Sequence, residues 1–492
     1  MKKTNKKTRM SAFVIALVML ISVFPALLCA VGAENGKEGY VPINYDDMKG
    51  IWLSQFDMAS AYRHDEAGYR AIISKIADNF ERDGFNTIII QMRPYGDSFY
   101  PSEVYCPSDI VTTGYDGTFA YDPLAILLEI AHAKGISVHA WINPMRLMDA
   151  WSISAVPAKY RIAQWYKDPA KNGDYIVNAY GRYYLNPAYP ETRQMVIDGA
   201  VEICENYDID GIHMDDYFYI SIQNETEDLA FDQKSYNFFG QTAYGIESRK
   251  AWRRENVNAL VKGLYDAVKA VDERILFGVS PMGDIYTNYN GYLCADVYTW
   301  CGTPGYIDYI VPQLYQSYSE HYKARVEMWS EITCPEVRLI IGLGIYLAVD
   351  PPFGTVWYDE KDNIKKMIEY NKSFQPSIDR ASCSGWVLFS YAYVYDVETG
   401  GYYPGTKAER ENLLLLLKEK PALKAGDVNG DGKIDALDAS LVLQHDAGLI
   451  ILDAEAKTAA DVNRDGKIDA LDASLILQID AGLIDNSSFI GT

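Results

Sequence analysis

The sequence predicts a parallel (β/α)8 barrel followed by a small all-α module, and three observations predict it. Eight short β-rich runs alternate with helix-period segments between Asp46 and Pro421. Those runs end repeatedly in polar and aromatic side chains. Near the C-terminus an acidic pattern recurs 34 residues later, and each copy leads into nearly the same apolar stretch.

The runs are Ile51–Phe56, Thr87–Arg93, Ser137–Asn143, Gly211–Asp216, Leu276–Pro281, Tyr309–Tyr315, Leu339–Tyr346 and Gly385–Tyr391. Helical patterns lie between most of them, at Tyr69–Phe80, Pro123–Lys134, Thr192–Tyr207, Arg254–Val271 and Asp362–Tyr370. Strand–helix alternation marks a parallel sheet, because parallel neighbours need a crossover and the crossover is a helix. Eight such units close a TIM-type barrel with inserted loops. A doubly wound open sheet is disfavoured, since no glycine-rich phosphate turn follows the first run.

At the N-terminus, Lys2, Lys3, Lys6, Lys7 and Arg9 precede an apolar stretch from Ala12 to Ala30 and the small-residue exit Val31-Gly32-Ala33. This is the order of a secretory signal peptide. The apolar run is short for a membrane span and is broken by Pro25. The expected organisation is therefore a signal peptide at 1–33, a linker at 34–45, the barrel at 46–421 and the small module at 425–486, in a secreted, extracellular protein. The formal charge of −22 becomes more negative once the signal cations are removed. Such acidity excludes nucleic acid and anionic membrane surfaces as partners, because both would be repelled. Outside the signal, Cys106, Cys204, Cys294, Cys301, Cys334 and Cys383 show no Cys-x-x-Cys spacing, so neither a zinc nor a redox motif is predicted.

The repeat reads Asp427-Val-Asn429-Gly-Asp431-Gly-Lys433-Ile-Asp435-Ala-Leu-Asp438, then Asp461-Val-Asn463-Arg-Asp465-Gly-Lys467-Ile-Asp469-Ala-Leu-Asp472. Oxygen side chains at loop positions 1, 3, 5, 9 and 12, with the Lys433 or Lys467 carbonyl at position 7, suit a hard cation such as calcium. Gly432 and Gly466 permit the sharp turn at position 6. Two Ca2+ ions are expected, and each loop is expected to lead into a helix with no helix before it. Residues 425–486 resemble the type I dockerin. The resemblance implies a cohesin module of a scaffoldin as partner, in a cellulosome-type assembly. It also implies that Ala436 with Leu437, and Ala470 with Leu471, help select the cohesin. Because the copies match, it implies two binding orientations related by half a turn.

In a barrel, chemistry belongs at the C-terminal ends of the strands. Those ends carry Gln55 and Asp57, Gln91 and Arg93, Trp141 and Asn143, Asp215 and Asp216, Gln313 and Tyr315, and Ser390 and Tyr391. Polar groups beside flat rings suit a sugar, which has hydroxyls at its rim and C–H groups on its faces. In the fourth run, strand alternation points His213 and Asp215 into the barrel and Ile212 and Met214 outward. Glycoside cleavage needs one carboxylate at the oxocarbenium-like centre and a proton for the leaving oxygen. Asp215 is the candidate for the first task and Asp216 for the second, with Asp57, Asp97 and Asp284 as further candidates for the donor. Substrate contacts are expected from Gln91, Arg93, Trp141, Asn143, His213, Tyr217, Gln313 and Tyr315. No cofactor is expected in the barrel.

The stretches Gly50-Ile-Trp52-Leu, Gln91-Met-Arg93-Pro94, Trp141-Ile-Asn143-Pro144, Tyr184-Leu-Asn186-Pro187, Asp210-Gly-Ile-His213-Met-Asp215-Asp216-Tyr217, Trp252-Arg253-Arg254 and Asp308-Tyr-Ile-Val-Pro312-Gln313-Leu-Tyr315 resemble the glycosyl hydrolase-like family 10. The resemblance implies a TIM barrel and glycosidase activity, with some members linked to peptidoglycan glycan. The fourth run also resembles, more loosely, the DGxDxDxEY motif of family 18 chitinases. Asp215 falls on its inner aspartate, while Tyr217 stands where that motif has its acid glutamate. Adjacent carboxylates also suit an N-acetyl-assisted mechanism on an N-acetylhexosamine glycan. The reading is a scaffold-borne glycoside hydrolase acting on a polysaccharide or other glycan. The alternative is a non-catalytic carbohydrate-binding or structural subunit. An ester or amide hydrolase is disfavoured, since no Gly-x-Ser-x-Gly turn is present.

Overall fold

The computed structural model describes residues 39–220, 222, 224–242, 245–349, 355–418, 423–452 and 454–484. The expected signal peptide lies outside them. The chain divides into two compact units, with the division after Leu416.

The first unit is a closed barrel of eight parallel strands. They are β1 (Met48–Leu53), β2 (Thr87–Arg93), β3 (Ser137–Ile142), β4 (Gly211–Met214), β5 (Leu276–Val279), β6 (Tyr309–Ile310), β7 (Arg338–Leu343) and β8 (Cys383–Leu388). Each pairs with the next, and β8 returns to β1, with Gly50 opposite Val387. That closure removes the open-sheet alternative. Between the strands run α1 (Glu66–Asp83), α2 (Pro123–His132), α3 (Pro190–Asn206), α4 (Ile246–Val271), α5 (Val297–Gly302), α6 (Glu320–Ile332) and α7 (Asn363–Ser373), and α8 (Lys407–Lys418) follows β8. Local signals set these ends. For α1, the Asp65 side chain accepts the Gly68 N–H, and Gly84, at φ 81°, terminates the helix in a conformation that suits glycine. β2 and β3 are buried along their whole length, as expected of strands covered on both faces.

Inward-facing Met48, Trp52, Ile89, Trp141, Leu276, Tyr309, Ile340 and Val387 fill the barrel. Two glycines make room for the larger rings. A Cβ on Gly278 would lie 2.1 Å from the Tyr309 ring, and one on Gly211 2.6 Å from His139. At the bottom, Asp210 accepts hydrogen bonds from the Tyr40 hydroxyl at 2.5 Å, the Ile43 N–H at 2.6 Å and the Val138 N–H at 2.6 Å. The first aspartate of the fourth-run motif is thus a structural clamp.

Insertions at the top build the cleft. After β3, an antiparallel sheet joins Arg146–Asp149 to Arg182–Leu185, and Arg182–Leu185 to Ile176–Ala179. After β4 come two short helices, Glu225–Phe231 and Gln233–Phe238. The Trp252-Arg253-Arg254 stretch of α4 anchors the neighbouring loops. Arg253 Nε pairs with Asp232 at 2.7 Å and its Nη1 with Asp228 at 2.9 Å, all three side chains being largely or fully buried. Arg254 donates to the Tyr289 carbonyl at 2.9 Å, in the short helix Ile285–Asn290 after β5.

The second unit holds two loop–helix repeats, with helices α9 (Ala436–Asp446) and α11 (Ala470–Asp480). The helix-start residues are near copies: Asp435 at φ −143°, ψ −170° and Asp469 at φ −144°, ψ −170°. Val428, Ala439 and Val442 of one repeat share a core with Val462, Ala473 and Ile476 of the other. One expectation is corrected here. A helix, α10 (Ala454–Ala460), does precede the second loop. Its sequence is rich in alanine and has no apolar periodicity, so propensity formed a helix that the pattern did not announce. Among the described residues no helix is long and apolar enough to cross a membrane, and all six cysteines are free thiols.

Candidate active site

The end of β4 brings two carboxylates to the mouth of the barrel. Trp141 lies opposite His213 across the β3–β4 ladder, so Asp215 stands two residues higher on the same inward face. The Trp141 indole N–H donates to Asp215 Oδ2 at 3.0 Å, and the Tyr217 backbone N–H reaches Oδ1 at 3.4 Å. Asp215 is 4% exposed. Burial, with the charge of Asp216 beside it, pushes its pKa well above the usual carboxylate range, while the Trp141 donor and the nearby Arg146 pull it back. Asp216 is half-buried. Its own burial pushes its pKa up to about 6. Two like charges this close resist ionising together, so the pair holds a proton well above the pH at which an ordinary aspartate loses it.

Asp216 opens on a cavity of about 290 Å³ lined by Tyr180, Tyr184, Tyr217, Tyr219, Tyr292 and their neighbours. Tyr180 is 74% exposed and occupies, with Gly181, a two-residue hairpin turn in which both φ angles are positive (53° and 81°). Such a turn favours asparagine or glycine, so a tyrosine there holds an unfavourable backbone while presenting its ring to solvent. Tyr315 lies near enough to both aspartates for their charges to raise its phenol pKa, after burial as the larger cause. It packs beside Trp52 and Phe389 beneath the cleft.

Other expected contacts turn inward to one another. Gln91 Nε2 donates to Asn143 Oδ1 at 2.9 Å, and Gln91 Oε1 accepts the Gln55 N–H at 2.9 Å, tying together the tops of β1, β2 and β3. Arg93 is 1% exposed, sits over the Tyr105 ring and donates to the Pro144 carbonyl at 3.2 Å. His213 accepts from the Trp52 indole at 3.2 Å and meets the Tyr309 hydroxyl at 3.1 Å. Both ring nitrogens are engaged, and burial drives its pKa far down, so it is a neutral part of the floor. Gln313 is half-buried and donates to the Ser280 carbonyl at 3.0 Å.

Three of the four carboxylates considered for the proton donor have structural partners. Asp57 closes a capping box with Ser54 and accepts from the Ser390 hydroxyl at 3.0 Å. Asp97, fully buried, accepts the Tyr95 N–H at 3.0 Å. Asp284 caps the helix Ile285–Asn290, and the Thr287 hydroxyl and N–H hold it below the usual carboxylate range. Asp216 alone of the four lines the tyrosine cavity. The sequence reading missed Arg146, Tyr180, Tyr184 and Tyr292; the Tyr180-Gly181 pair was the one local signal.

In the C-terminal unit, Asp427 accepts the Gly430 and Gly432 N–H groups at 2.9 and 3.1 Å, and Asp438 accepts those of Val428, Asn429 and Asp435 at 2.8 to 3.0 Å. The second loop repeats the pattern through Asp461, Asp469 and Asp472. All the candidate ligands offer oxygen, and Asp461 Oδ1 is buried with no partner among the described residues, which fits a hard cation. Among the described residues, however, no three acidic or histidine or cysteine side chains are already drawn together as a metal site.

Comparison with known proteins agrees with the two units. The model of the glycosyl hydrolase-like 10 family matches residues 47–356, and that of the dockerin type I domain matches residues 425–478. Glycosyl hydrolase YngK of Bacillus subtilis (strain 168) is 34% identical over 315 residues, spanning 60% of this chain. The chain covers 59% of that protein's length. Glycosyl hydrolase DigH of Escherichia coli (strain K12) is 27% identical over 440 residues, covering 80% of this chain and 96% of that protein. A barrel whose family match runs from β1 beyond β7, with the paired aspartates inside the match, places the chain in the glycosyl hydrolase-like 10 family, with a type I dockerin domain behind it.

Proposed function

We propose that this protein is a secreted glycoside hydrolase, carried on a cohesin-bearing scaffold and acting on a polysaccharide or glycan through Asp215 and Asp216. The observation that carries this reading is the carboxylate pair at the barrel mouth, pushed up in pKa, with Asp216 lining a tyrosine-rich cavity. Both oxygens of Asp215 receive N–H groups, which offset part of the burial that favours its protonated form. Asp215 stabilises the oxocarbenium-like centre, or orients the N-acetyl group if the sugar carries one. The pair shares a proton, and Asp216, the more open of the two, is the one placed to deliver it to the leaving oxygen. Tyr180, Tyr217 and Tyr292 give stacking surfaces for sugar rings. The proposed organisation is a signal peptide at 1–33, a linker at 34–45, the barrel at 46–421 and the dockerin at 425–486.

The dockerin binds two calcium ions, one through Asp427, Asn429, Asp431, the Lys433 carbonyl, Asp435 and Asp438, the other through Asp461, Asn463, Asp465, the Lys467 carbonyl, Asp469 and Asp472. The ions neutralise loops that are otherwise strongly acidic. The exposed Leu437 and Leu471, at matching positions of the two repeats, belong to the face that meets the cohesin.

The test is reducing-end release by the purified protein from a panel of plant polysaccharides, starch, chitin oligomers and peptide-free peptidoglycan strands. Asp215→Asn and Asp216→Asn run beside it. Release that disappears in both variants supports the reading. Release that persists in Asp215→Asn refutes the site, and no release from any glycan by the folded protein moves the barrel to a binding role.

A further inference from the structure

Of the nine tryptophans, eight are no more than 7% exposed, while Trp151 is 80% exposed. A lone ring in water carries no message, but the inserted sheet groups this one with Tyr180. Trp151 lies in the first turn of the short helix Ala150–Ala155, which follows the strand Arg146–Asp149. Its backbone is fixed on both sides. Asp149 Oδ1 accepts the Trp151 N–H at 2.9 Å and the Ser152 N–H at 2.8 Å, and the Ser154 hydroxyl donates to the Trp151 carbonyl at 2.6 Å. The next residues, Ser152 and Ile153, are buried, so the segment is anchored while the indole stays in solvent. The register of the sheet connects this position to the carboxylates. Arg146 is opposite Tyr184 and Asp149 opposite Arg182. Followed outward, one strand leads from Tyr184 to the Tyr180-Gly181 turn, and the other leads past Asp149 to Trp151. Tyr184 and Tyr180 both line the cavity that Asp216 lines. Four residues separate them, at most about 13 Å of extended chain, which is more than one sugar ring spans. Tyr184, Tyr180 and then Trp151 thus follow one another along the insertion, away from Asp216.

An indole offers the widest flat face of any side chain, and it loses little rotamer freedom when a ligand settles on it. Nucleobases also stack on such rings, but a formal charge of −22 repels a phosphate backbone. Sugar rings stack through their C–H faces and bring no such charge penalty. Continuity with the cavity through Tyr180 decides the occupant: what reaches Trp151 is the rest of the chain whose inner end lies at Asp216. We infer that Trp151 is an outer sugar-binding subsite, beyond the cavity, that holds a glycan chain where it extends past Tyr180. This rests on the reading that a glycan enters the cleft at Asp215 and Asp216. A chain too short to span from Asp216 to Trp151 gains nothing from the subsite, so affinity rises stepwise with chain length. Binding energy gathered at this remote point is available to position the bond at the carboxylates.

Because the other eight tryptophans are buried, acrylamide quenching of the intrinsic fluorescence reads Trp151 selectively. The experiment uses the full chain as Asp215→Asn, to prevent turnover, with oligosaccharides of two to eight sugars from plant polysaccharide, starch, chitin and peptide-free peptidoglycan. In at least one series the long chains should shield Trp151 from acrylamide and the disaccharide should not. Affinity should rise about tenfold at the length where shielding begins, the worth of one good ring contact. Adding Trp151→Ala should abolish that rise and leave the affinity for short chains unchanged, whereas Trp151→Phe, which keeps a flat ring, should retain part of it. Melting temperatures establish that both variants fold. The inference is overturned if bound chains of every length leave Trp151 open to acrylamide, if no series binds, or if Trp151→Ala weakens short and long chains equally. Shielding that grows with protein concentration and needs no glycan would also overturn it, since the occupant would then be a second copy of this chain. Length-dependent shielding without hydrolysis by the unsubstituted chain would remove the catalytic reading and leave the subsite standing. Hydrolysis with Trp151 unshielded would do the reverse.

Discussion

Asp216 makes a prediction about stability that needs no substrate. Its pKa rises from the ordinary 3.8 to about 6 because burial penalises the charged form. The folded state therefore holds this proton more tightly than the unfolded chain does. The contribution to stability is complete below the unfolded value and is lost as pH rises through about 6. At neutral pH the ionised Asp216 thus weighs against the native state. A tenfold change in proton affinity is worth about 1.4 kcal/mol, so the upper bound is about 3 kcal/mol. Partial exposure and exchange of the proton with Asp215 reduce this to roughly 1–2 kcal/mol. Asp216→Asn removes the charge while keeping the shape. By calorimetry, the barrel transition of the variant should melt roughly 1–3 °C above that of the unsubstituted protein at about pH 8. At about pH 4 the gain should shrink to a small fraction of its pH 8 value, since Asp216 is then protonated in the folded state and nearly half protonated in the unfolded chain. Glycan cleavage should fall by more than about 100-fold in the same variant, the cost of losing a general acid. Equal melting at pH 8, or an equal gain at pH 4, would refute the claim that burial of charge sets this group's behaviour.

Other expectations follow from neighbouring contacts. Trp141→Phe removes the N–H donated to Asp215, so the carboxylate is harder to ionise. Its kcat should fall about 10- to 100-fold and the acidic limb of the pH–rate profile should move to higher pH, read from initial rates. Arg253→Met leaves Asp228 and part of Asp232 buried without their cation. It should destabilise the barrel by about 3–5 kcal/mol in urea titrations, and unchanged midpoints would show that the cluster is dispensable. Chelation should lower the melting of the C-terminal unit and abolish capture by a cohesin, with the barrel transition unmoved. Asp438→Ala or Asp472→Ala should each halve the calcium bound at saturation, measured by equilibrium dialysis.

The sequence by itself determined the strand–helix alternation, the barrel it closes and the duplicated loops, because each is written in local periodicity. Ile88 to Ile90 can only be a buried strand in this setting, and a repeated DxNxDG followed by an apolar helix can hardly be anything else. It also carried Asp215 and Asp216 to the barrel mouth, since a strand-end position follows from counting alternation. The tertiary structure alone decided which polar strand ends face the cleft. Gln91, Asn143 and His213 found partners on adjacent or opposite strands, and Arg93 was taken by Tyr105 and the Pro144 carbonyl, so these groups serve the scaffold. Conversely, Arg146, Tyr180 and Tyr292 come from inserted loops whose sequences carry no period. Their approach to Asp216 depends on anchors far away in the chain, such as Arg254 on the Tyr289 carbonyl. Local rules set what a segment becomes, whereas the neighbours of a side chain depend on how distant segments close around it, and the raised proton affinity of Asp215 and Asp216 is set by those surroundings.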